Sequence, residues 1–260
     1  MKKPQPVTAT VHSVTPLSPN MNRIVLESEA FTNYPADCEG GYIKLLFTQT
    51  GDTDLSGLDS DEKPALRTYT IRSFDPEHHT IEVDFVLHNS DTHGSAGGFG
   101  AHWGETAQPG GQISIVGPGQ ISGLNQDSDF FFFVADMTAL PAMSVKLKQL
   151  PDDAAGYAVV EVNSREDIQS LSAPAQIEID WVIASEQEPL AQAVRAKPWP
   201  QGRVSVWCAC EFETMRNLRQ YFRNEREVER DCIYISSYWK NGVTEDGHKV
   251  LKQQDAQANR

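Results

Sequence analysis

The sequence predicts two domains: an antiparallel β-barrel over residues 1–124 and, over residues 125–260, an α/β domain with a doubly wound parallel sheet. A chain of 260 residues is long enough for one or two domains with sizeable cores. The first half consists of short β-rich segments between turn residues, whereas apolar segments alternate with helical patterns in the second half. This change of pattern near Leu124 defines the predicted domain boundary.

In the first half, β-rich segments bounded by Gly, Pro and Asn predict the strands. These are Asn22–Leu26, Gly41–Thr48, Arg67–Ser73, Thr80–His88 and Gln112–Val116. In Thr80–His88 apolar residues alternate with Glu82 and Asp84, which is typical of a half-buried strand with one polar face. The polar segment between Thr48 and Pro64 and the glycine-rich segment after His88 are expected to be loops.

The second half alternates strand and helix patterns with short connections. Strands are expected at Asp129–Ala135, Tyr157–Val162, Gln176–Val182, Arg203–Ala209 and Cys232–Tyr238. Helices are expected at Thr138–Leu150, Arg165–Leu171, Pro189–Ala196 and Phe212–Glu225, with a short helix in the C-terminal tail. After Asp129 the first of these strands is apolar, as in a parallel sheet that is buried on both faces. The pattern predicts a nucleotide-binding type of α/β domain.

The composition excludes several classes of function. The net charge of −14 is carried by both halves, so neither nucleic acid nor an anionic membrane surface is an expected partner. No apolar run approaches the ~20 residues of a membrane-spanning helix, and the first residues lack the apolar stretch of a signal peptide. The 4 cysteines are too few for a disulfide framework, so we expect reduced thiols and a cytoplasmic location.

The segment Arg67-Thr68-Tyr69-Thr70 carries the residue types that a bound flavin nucleotide requires. A cation holds the phosphates, an aromatic ring lies against the flavin ring, and a hydroxyl contacts its reactive nitrogen. Strand alternation places Arg67 and Tyr69 on one face, so Thr70 joins them only at a strand end or bend. An ordinary strand with an exposed Arg and Thr pair is the alternative explanation.

The glycine-rich segment between Gly94 and Gly111 is a second candidate site. Glycines let backbone N–H groups approach a ligand closely, as a diphosphate requires. Trp103 is placed to cover an adenine or flavin ring. A flexible surface loop is the alternative explanation for this composition.

Several motifs follow one another along the chain. In the first half they are Arg67-x-Tyr-Thr-x-Arg72, Asp84–His88, the loop that ends in Trp103, and Gly117-Pro-Gly119. In the second half they are Ala135–Ala142, Trp207–Arg219, Tyr238–Gly242 and Glu245–Lys249. Together they resemble the siderophore-interacting proteins, which are FAD-containing ferric-siderophore reductases related to ferredoxin–NADP reductases. The resemblance covers nearly the whole chain.

The resemblance implies an enzyme that reduces ferric siderophore complexes and releases Fe(II) in the cytoplasm. It implies FAD in a barrel of ferredoxin-reductase type, and NAD(P)H or a reduced ferredoxin as the electron donor. The α/β domain would bind NAD(P)H. No side chain is expected to be catalytic, because the flavin carries the chemistry. The implied cofactor-binding residues are Arg67, Tyr69, Thr70, Val86, His88, Gly98, Gly100, Ala101, His102, Trp103, Asp136 and Thr138.

The chain departs from the family pattern at three places. The loop after His88 is longer, and Ala101 stands where the family has a serine. Met137 replaces an acidic residue, and Cys210 replaces the glycine before Glu211. The last two changes lie in the domain expected to bind nicotinamide, so they bear on the use of NAD(P)H more than on the flavin.

Ferric siderophores are often anionic, so cations are expected around the substrate. Lys44, Lys240 and Lys249 are the candidate substrate-binding residues, and solvated lysines without a role are the alternative. Two other functions remain open at this point. One is an electron-transfer flavoprotein of ferredoxin-reductase type that acts on a protein partner, and the other is a flavin-free module that binds ferric chelates.

No metal site is expected in the protein itself. The histidines at positions 78, 79, 88, 93 and 102 lack ligand spacing on a common element. Cys208 and Cys210 are expected in the core, because an iron–sulfur cluster needs four thiolates and Cys38 is distant in sequence.

Overall fold

The computed structural model describes residues 5–59, 61–87, 98–121, 123–184 and 189–258. These residues form two compact units, one that ends at Ile121 and one that follows it. The first unit is built on an antiparallel sheet and the second on a parallel sheet. The predicted fold class is confirmed.

The first unit contains one seven-stranded sheet in the order β4-β3-β7-β1-β2-β6-β5. Its elements are β1 (Val7–Ser18), β2 (Met21–Glu27), β3 (Tyr42–Phe47), β4 (Ala65–Thr70), β5 (Ser73–Asp75), β6 (Thr80–Val86), α1 (Phe99–Thr106) and β7 (Gln112–Gly119). The two outer strands, β4 and β5, are consecutive in the chain and are joined only by Ile71 and Arg72. The N–H of Ile71 donates to Gly41 O (2.9 Å) and that of Arg72 to Glu82 O (2.8 Å). The sheet therefore closes on itself as a barrel.

A buried ion pair links two strands of this barrel. Asp84 on β6 is only 6% exposed, although the sequence pattern predicts it on a polar face. Both of its carboxylate oxygens accept hydrogen bonds from the Arg23 guanidinium on β2, at 2.7 and 2.9 Å. A bidentate pair of this kind is strong and directional, and it holds β2 and β6 in register. The polar face of this strand therefore buries Asp84, because its partner Arg23 lies on a neighbouring strand.

Three elements of the first unit are absent from the sequence predictions: β1, α1 and the short strand β5, which lies where a turn is expected. β1 is long but its polar and apolar residues do not alternate cleanly. α1 lies in the glycine-rich segment, which the sequence predicts to be a loop throughout. The segment before it, residues 88–97, lies outside the described residues.

The second unit contains a five-stranded parallel sheet in the order β10-β9-β8-β11-β12. Its elements are β8 (Phe130–Ala135), α2 (Leu140–Lys148), β9 (Ala155–Val162), β10 (Gln176–Ile183), α3 (Leu190–Ala196), β11 (Val204–Glu211), α4 (Phe212–Gln220), β12 (Ile233–Trp239) and α5 (Glu245–Ala258). The chain winds outward from β8 in one direction to β10 and then in the other to β12. The crevice where the direction changes lies beyond the carboxyl ends of β8 and β11, and it is the usual ligand site of such sheets.

The hydrophobic core of the second unit lies between the parallel sheet and helices α3 and α4. It contains Phe132, Val159, Leu190, Met215 and Leu218. Cys208 and Cys210 are both buried there as free thiols, which confirms their predicted place in the core.

The predicted short helix Arg165–Leu171 is reduced to a single 3₁₀ turn, Arg165–Asp167. Within the described ranges, no helix is long and apolar enough to cross a membrane.

The close approach of β8 and β9 leaves no room for a side chain at Gly156. A Cβ atom there would overlap the main-chain oxygen of Phe131 on the neighbouring strand β8, and backbone cannot move as a side chain can. We expect Gly156→Ala to lower the free energy of unfolding by about 2 kcal/mol or more.

Urea denaturation measures this effect. Gly57→Ala is the matched control, because nothing lies within 4 Å of a Cβ at that position. Equal stabilities for the two variants would contradict the close approach of β8 and β9.

Candidate functional site

Helix α1 packs directly on the aromatic side chains of the barrel. A Cβ atom at Gly100 would overlap the Tyr69 ring, and one at Gly104 would lie 2.5 Å from Phe85. The Tyr69 and Phe85 rings are 4.3 Å apart, and Phe85 and Trp103 are 5.3 Å apart. The carbonyl of Gly104 also accepts a hydrogen bond from buried Asn22 at 3.0 Å. The two glycines therefore allow the helix to approach Tyr69 and Phe85 closely.

Because α1 packs on Tyr69 and Phe85, its first residues lie next to the Arg67 side chain. The helix begins after Gly98, which has no side chain to cap the first turn. The guanidinium of Arg67 lies over the ring of Phe99, the first helical residue, at 5.0 Å. A Cβ at Gly98 would be 3.7 Å from Arg67 Nε, so the backbone and this cation are adjacent.

The start of α1 and Arg67 together bring hydrogen-bond donors and a positive charge to one place. The first N–H groups of a helix have no partner within the helix and carry a partial positive charge. Phosphates bind at such N-termini, and the neighbouring guanidinium adds a full positive charge and a forked pair of donors. The Tyr69 ring lies next to these groups. This set of donors fits the diphosphate and one aromatic contact of a flavin dinucleotide.

The other cofactor-binding residues predicted in the first unit lie at strand ends or in α1. Thr70 is the last residue of β4, so the strand end that its predicted role requires is present. Val86 ends β6, Ala101 and exposed His102 follow Gly100 in α1, and Trp103 packs on Phe85. His88 lies outside the described residues.

In the second unit, Asp136 organises the carboxyl edge of the sheet. Its Oδ1 accepts hydrogen bonds from Thr138 N (2.9 Å), Thr138 Oγ1 (2.6 Å) and Ala139 N (3.3 Å). Its Oδ2 accepts from Trp239 Nε1 at 2.7 Å. Burial raises the pKa of Asp136, while these four donors oppose that rise. Asp136 and Thr138 thus fix the turn after β8 against the end of β12, rather than offering free groups to a ligand.

The rest of this edge is acidic. Glu161 on β9 has a raised pKa, first because of burial and then because of the charge of Asp136. Glu211 ends β11 and caps α4 by accepting from Glu213 N (2.6 Å) and Thr214 N (3.2 Å). Met137 is buried, and its Sδ accepts from Asn163 N at 3.4 Å. Met137 and Cys210 fill buried positions at the edge where a nucleotide is expected.

The three candidate substrate lysines differ in their surroundings. Lys240 Nζ is 2.9 Å from Glu213 and 3.8 Å from Glu211. Lys249 Nζ is 3.4 Å from Glu245 and 3.2 Å from Asp246. Lys44 lies on β3 with its Nζ 5.8 Å from the centre of the Tyr42 ring, and it makes no ion pair with any residue that the structure describes. The charges of Lys240 and Lys249 are locally compensated, whereas that of Lys44 is not.

Potential metal ligands come together at one place in the described ranges. Glu229, Asp231 and Cys232 have ligand atoms within 4.8 Å of one another. Arg203 occupies this group, with its guanidinium 3.1 Å from Glu229 and 2.6 Å from Asp231. The cluster is therefore an ion-pair network. Two of the clustered histidines lie within ion-pair distance of a carboxylate: His78 pairs with Asp75, and His79 pairs with Glu29.

A buried pair at the end of β12 holds the C-terminal helix, and the sequence analysis missed it. Ser237 Oγ and His248 Nε2 are 2.8 Å apart, and both residues are buried. Lys252 donates to the carbonyl of Ser237 at 2.9 Å. Burial and then the charge of Lys252 lower the pKa of His248 to about 4. The imidazole is neutral near pH 7 and anchors α5 to the sheet.

Comparison with known families and proteins gives a consistent result. The family model described as "Siderophore-interacting FAD-binding domain" matches residues 10–121, and that described as "Siderophore-interacting protein" matches residues 128–242. The ferric vibriobactin reductase of Vibrio cholerae is 34% identical over 245 residues, which cover 89% of this chain and 88% of that protein. The NADPH-dependent ferric-chelate reductase of Escherichia coli is 24% identical, covering 88% of this chain and 91% of that protein.

Solved structures agree with this result. The crystal structure of a siderophore-interacting protein from Aeromonas hydrophila superposes with a TM-score of 0.82 at 30% identity, covering 96% of this chain and 99% of that one. A ferredoxin-NADP⁺ reductase from Plasmodium falciparum superposes with a TM-score of 0.66 at 12% identity, covering 90% and 97%. The second likeness concerns the fold alone, and it establishes a ferredoxin-reductase type of architecture.

The buried imidazole of His248 predicts a loss of stability in acid. Because its pKa is lower in the folded chain than the ordinary 6.5, its contribution is fully present above pH 6.5 and is lost as the pH falls towards 4. At about 1.4 kcal/mol per pKa unit, and allowing for residual solvation, the loss amounts to about 2 kcal/mol.

The measurement is the free energy of unfolding between pH 7.5 and pH 4.5 for the wild type, His248→Gln and His12→Gln. His12 is an exposed histidine and serves as the control. His248→Gln should flatten the pH dependence and His12→Gln should not. Parallel curves for all three proteins would show that His248 is not buried as a neutral group.

Proposed function

The chain belongs to the siderophore-interacting protein family, and we propose that it uses bound FAD to reduce Fe(III) in anionic siderophore complexes. The observation that carries this proposal is the junction of Arg67, Tyr69 and the start of α1, within the part that matches a siderophore-interacting FAD-binding domain. The matching relatives named as ferric vibriobactin reductase and ferric-chelate reductase support the reaction class.

The residues of the barrel hold and orient the cofactor. Arg67 and the free N–H groups after Gly98 bind the diphosphate, and Tyr69 supports the ring system. Thr70, at the strand end, offers its hydroxyl to the ring, and Val86, Ala101, His102 and Trp103 complete the described surroundings, with His88 retained from the family resemblance. When bound, FAD accepts a hydride and delivers electrons one at a time.

The electron balance requires two substrate molecules for each hydride. A hydride carries two electrons, and each Fe(III) complex takes one electron to become Fe(II). Siderophores bind Fe(III) through hard, anionic oxygen donors, which hold Fe(II) more weakly. Reduction followed by protonation of those donors releases the iron. The protein needs to place the chelate near the flavin, and no side chain has to take part in covalent chemistry.

For the electron donor, we propose NAD(P)H at the carboxyl edge of the parallel sheet. The doubly wound topology favours a nucleotide there, and one relative is named as NADPH-dependent. The replacements Met137 and Cys210 at this edge bear on how efficiently NAD(P)H is used. A reduced ferredoxin is the alternative donor. We place the reaction in the cytoplasm, in agreement with four free, buried cysteines.

An anaerobic spectroscopic titration tests the proposed reaction. The purified protein should carry flavin absorbance that is bleached by NADPH or NADH and restored by a ferric catecholate complex, with Fe(II) trapped by a ferrous chelator. Bleaching only by reduced ferredoxin would transfer the donor role to that protein. A colourless protein that does not take up FAD would exclude flavin-dependent reduction and leave a chelate-binding module.

The anion site predicts a specific loss of FAD affinity when Arg67 is removed. Arg67→Ala should raise the Kd for FAD about 10- to 100-fold, because a hydrogen bond to a charged group contributes roughly 1.5–3 kcal/mol. Fluorescence quenching on reconstitution of the apoprotein measures it. Lys63→Ala, which removes an exposed cation of the same unit, should leave Kd unchanged. An equal effect of both variants would reject a specific contact.

The proposed role of Lys44, Lys240 and Lys249 in binding the anionic siderophore predicts that their replacement lowers substrate affinity. Replacing Lys44, Lys240 and Lys249 together by Glu should raise KM for an anionic ferric catecholate several-fold, with kcat affected less. Most of the effect should come from Lys44→Glu, because the other two lysines already face carboxylates. Lys63→Glu is the matched charge reversal. An unchanged KM in the triple variant would remove these lysines from the substrate site.

A further inference from the structure

A polar cavity lies at the amino-terminal edge of the parallel sheet, where β11 and β12 begin. Its volume is about 310 Å³, at the lower end of the range for small-molecule sites. Ser205, Arg223, Arg230 and Tyr234 are among the residues that line it. A strand of eight residues is roughly 25 Å long, so this cavity is far from the carboxyl edge, where the nucleotide is expected.

Two arginines in this cavity are uncompensated. Arg223 and Arg230 are solvent-exposed at the mouth of the cavity and make no ion pair with any residue in the described ranges, whereas Arg216 and Arg219 of the same stretch both contact Asp255. The pKa of Arg223 is lowered, first by burial and then by the positive charges of Arg219 and Arg230. Both arginines line one cavity although the chain has a net charge of −14. An anion placed between them would remove their repulsion.

A buried hydroxyl provides an independent observation. Ser205 lines the cavity, is 1% exposed, and its Oγ has no hydrogen-bond partner. Buried hydroxyl groups in proteins are normally paired, so Ser205 leaves an unsatisfied polar group in the wall of the cavity.

The acidic residue of the cavity does not oppose an anion. Asp231 also lines the cavity, but its Oδ2 accepts from Arg203 at 2.6 Å and from Asn125 at 3.2 Å. Arg203 is shared with Glu229, and with Arg223 and Arg230 three guanidinium groups face these two carboxylates, which leaves a net positive charge. The remaining charged groups that face the cavity are Arg223 and Arg230, and their field favours an anionic ligand.

We propose that this cavity is a binding site for a small phosphate-bearing anion, separate from the sites of the flavin, the nucleotide and the siderophore. Guanidinium forks bind phosphate oxygens in a bidentate manner, and the Ser205 hydroxyl donates a further hydrogen bond. The cavity has room for more than one phosphate group, which fits a diphosphate or a phosphate monoester.

Isothermal titration calorimetry on the FAD-loaded protein tests this site, with inorganic pyrophosphate and glycerol 3-phosphate as probes in an iron-free buffer. Loading with FAD keeps the diphosphate site on α1 filled. We expect Arg223→Gln/Arg230→Gln to weaken probe binding at least tenfold and Ser205→Ala to weaken it several-fold. Arg195→Gln/Arg216→Gln is the control, since both of these arginines are paired with carboxylates.

The outcomes separate clearly. Binding of either probe by the wild type and the control, with loss in the double variant, supports the site, and the tighter probe tells free diphosphate from a phosphate ester. No binding of either probe by the wild type overturns the proposal. Equal binding by wild type and double variant assigns the anion to another place and overturns it as well. Flavin absorbance and thermal unfolding show that each variant is folded.

Discussion

The close contact between helix α1 and the aromatic rings of the barrel is the constraint on which the cofactor site depends. Glycine is a poor helix former, so a helix that contains Gly100 and Gly104 depends on tertiary packing. Tyr69 and Phe85 provide that packing. The same contact fixes the direction of α1, which brings its first turn beside Arg67. Stability and cofactor recognition thus depend on one interface.

The second unit is organised by a different interaction of similar importance. Asp136 and Trp239 are separated by 103 positions in sequence, yet one hydrogen bond joins the first turn after β8 to the end of β12. The buried Ser237–His248 pair then attaches α5 to the same strand. The C-terminal motifs by which the family is recognised therefore hold the carboxyl edge together. Lys240 also belongs to this network through Glu211 and Glu213.

Local patterns in the sequence predict those features that depend on local causes. The alternation in Thr80–His88 and the apolar run at Asp129–Ala135 give the right strands, and the strand end that the proposed role of Thr70 requires is present. Features that depend on distant partners are not predictable in this way. Asp84 is buried because Arg23 lies opposite, and the glycine-rich segment contains a helix because Tyr69 and Phe85 support it.

The relative affinity of the apoprotein for FAD and for riboflavin tests the central claim most directly. Riboflavin has the same ring system but lacks the diphosphate, so it cannot use Arg67 and the start of α1. We expect FAD to bind at least about 100-fold more tightly, which corresponds to roughly 2.7 kcal/mol at 25 °C. Equal dissociation constants for the two flavins would contradict an anion site at the start of α1.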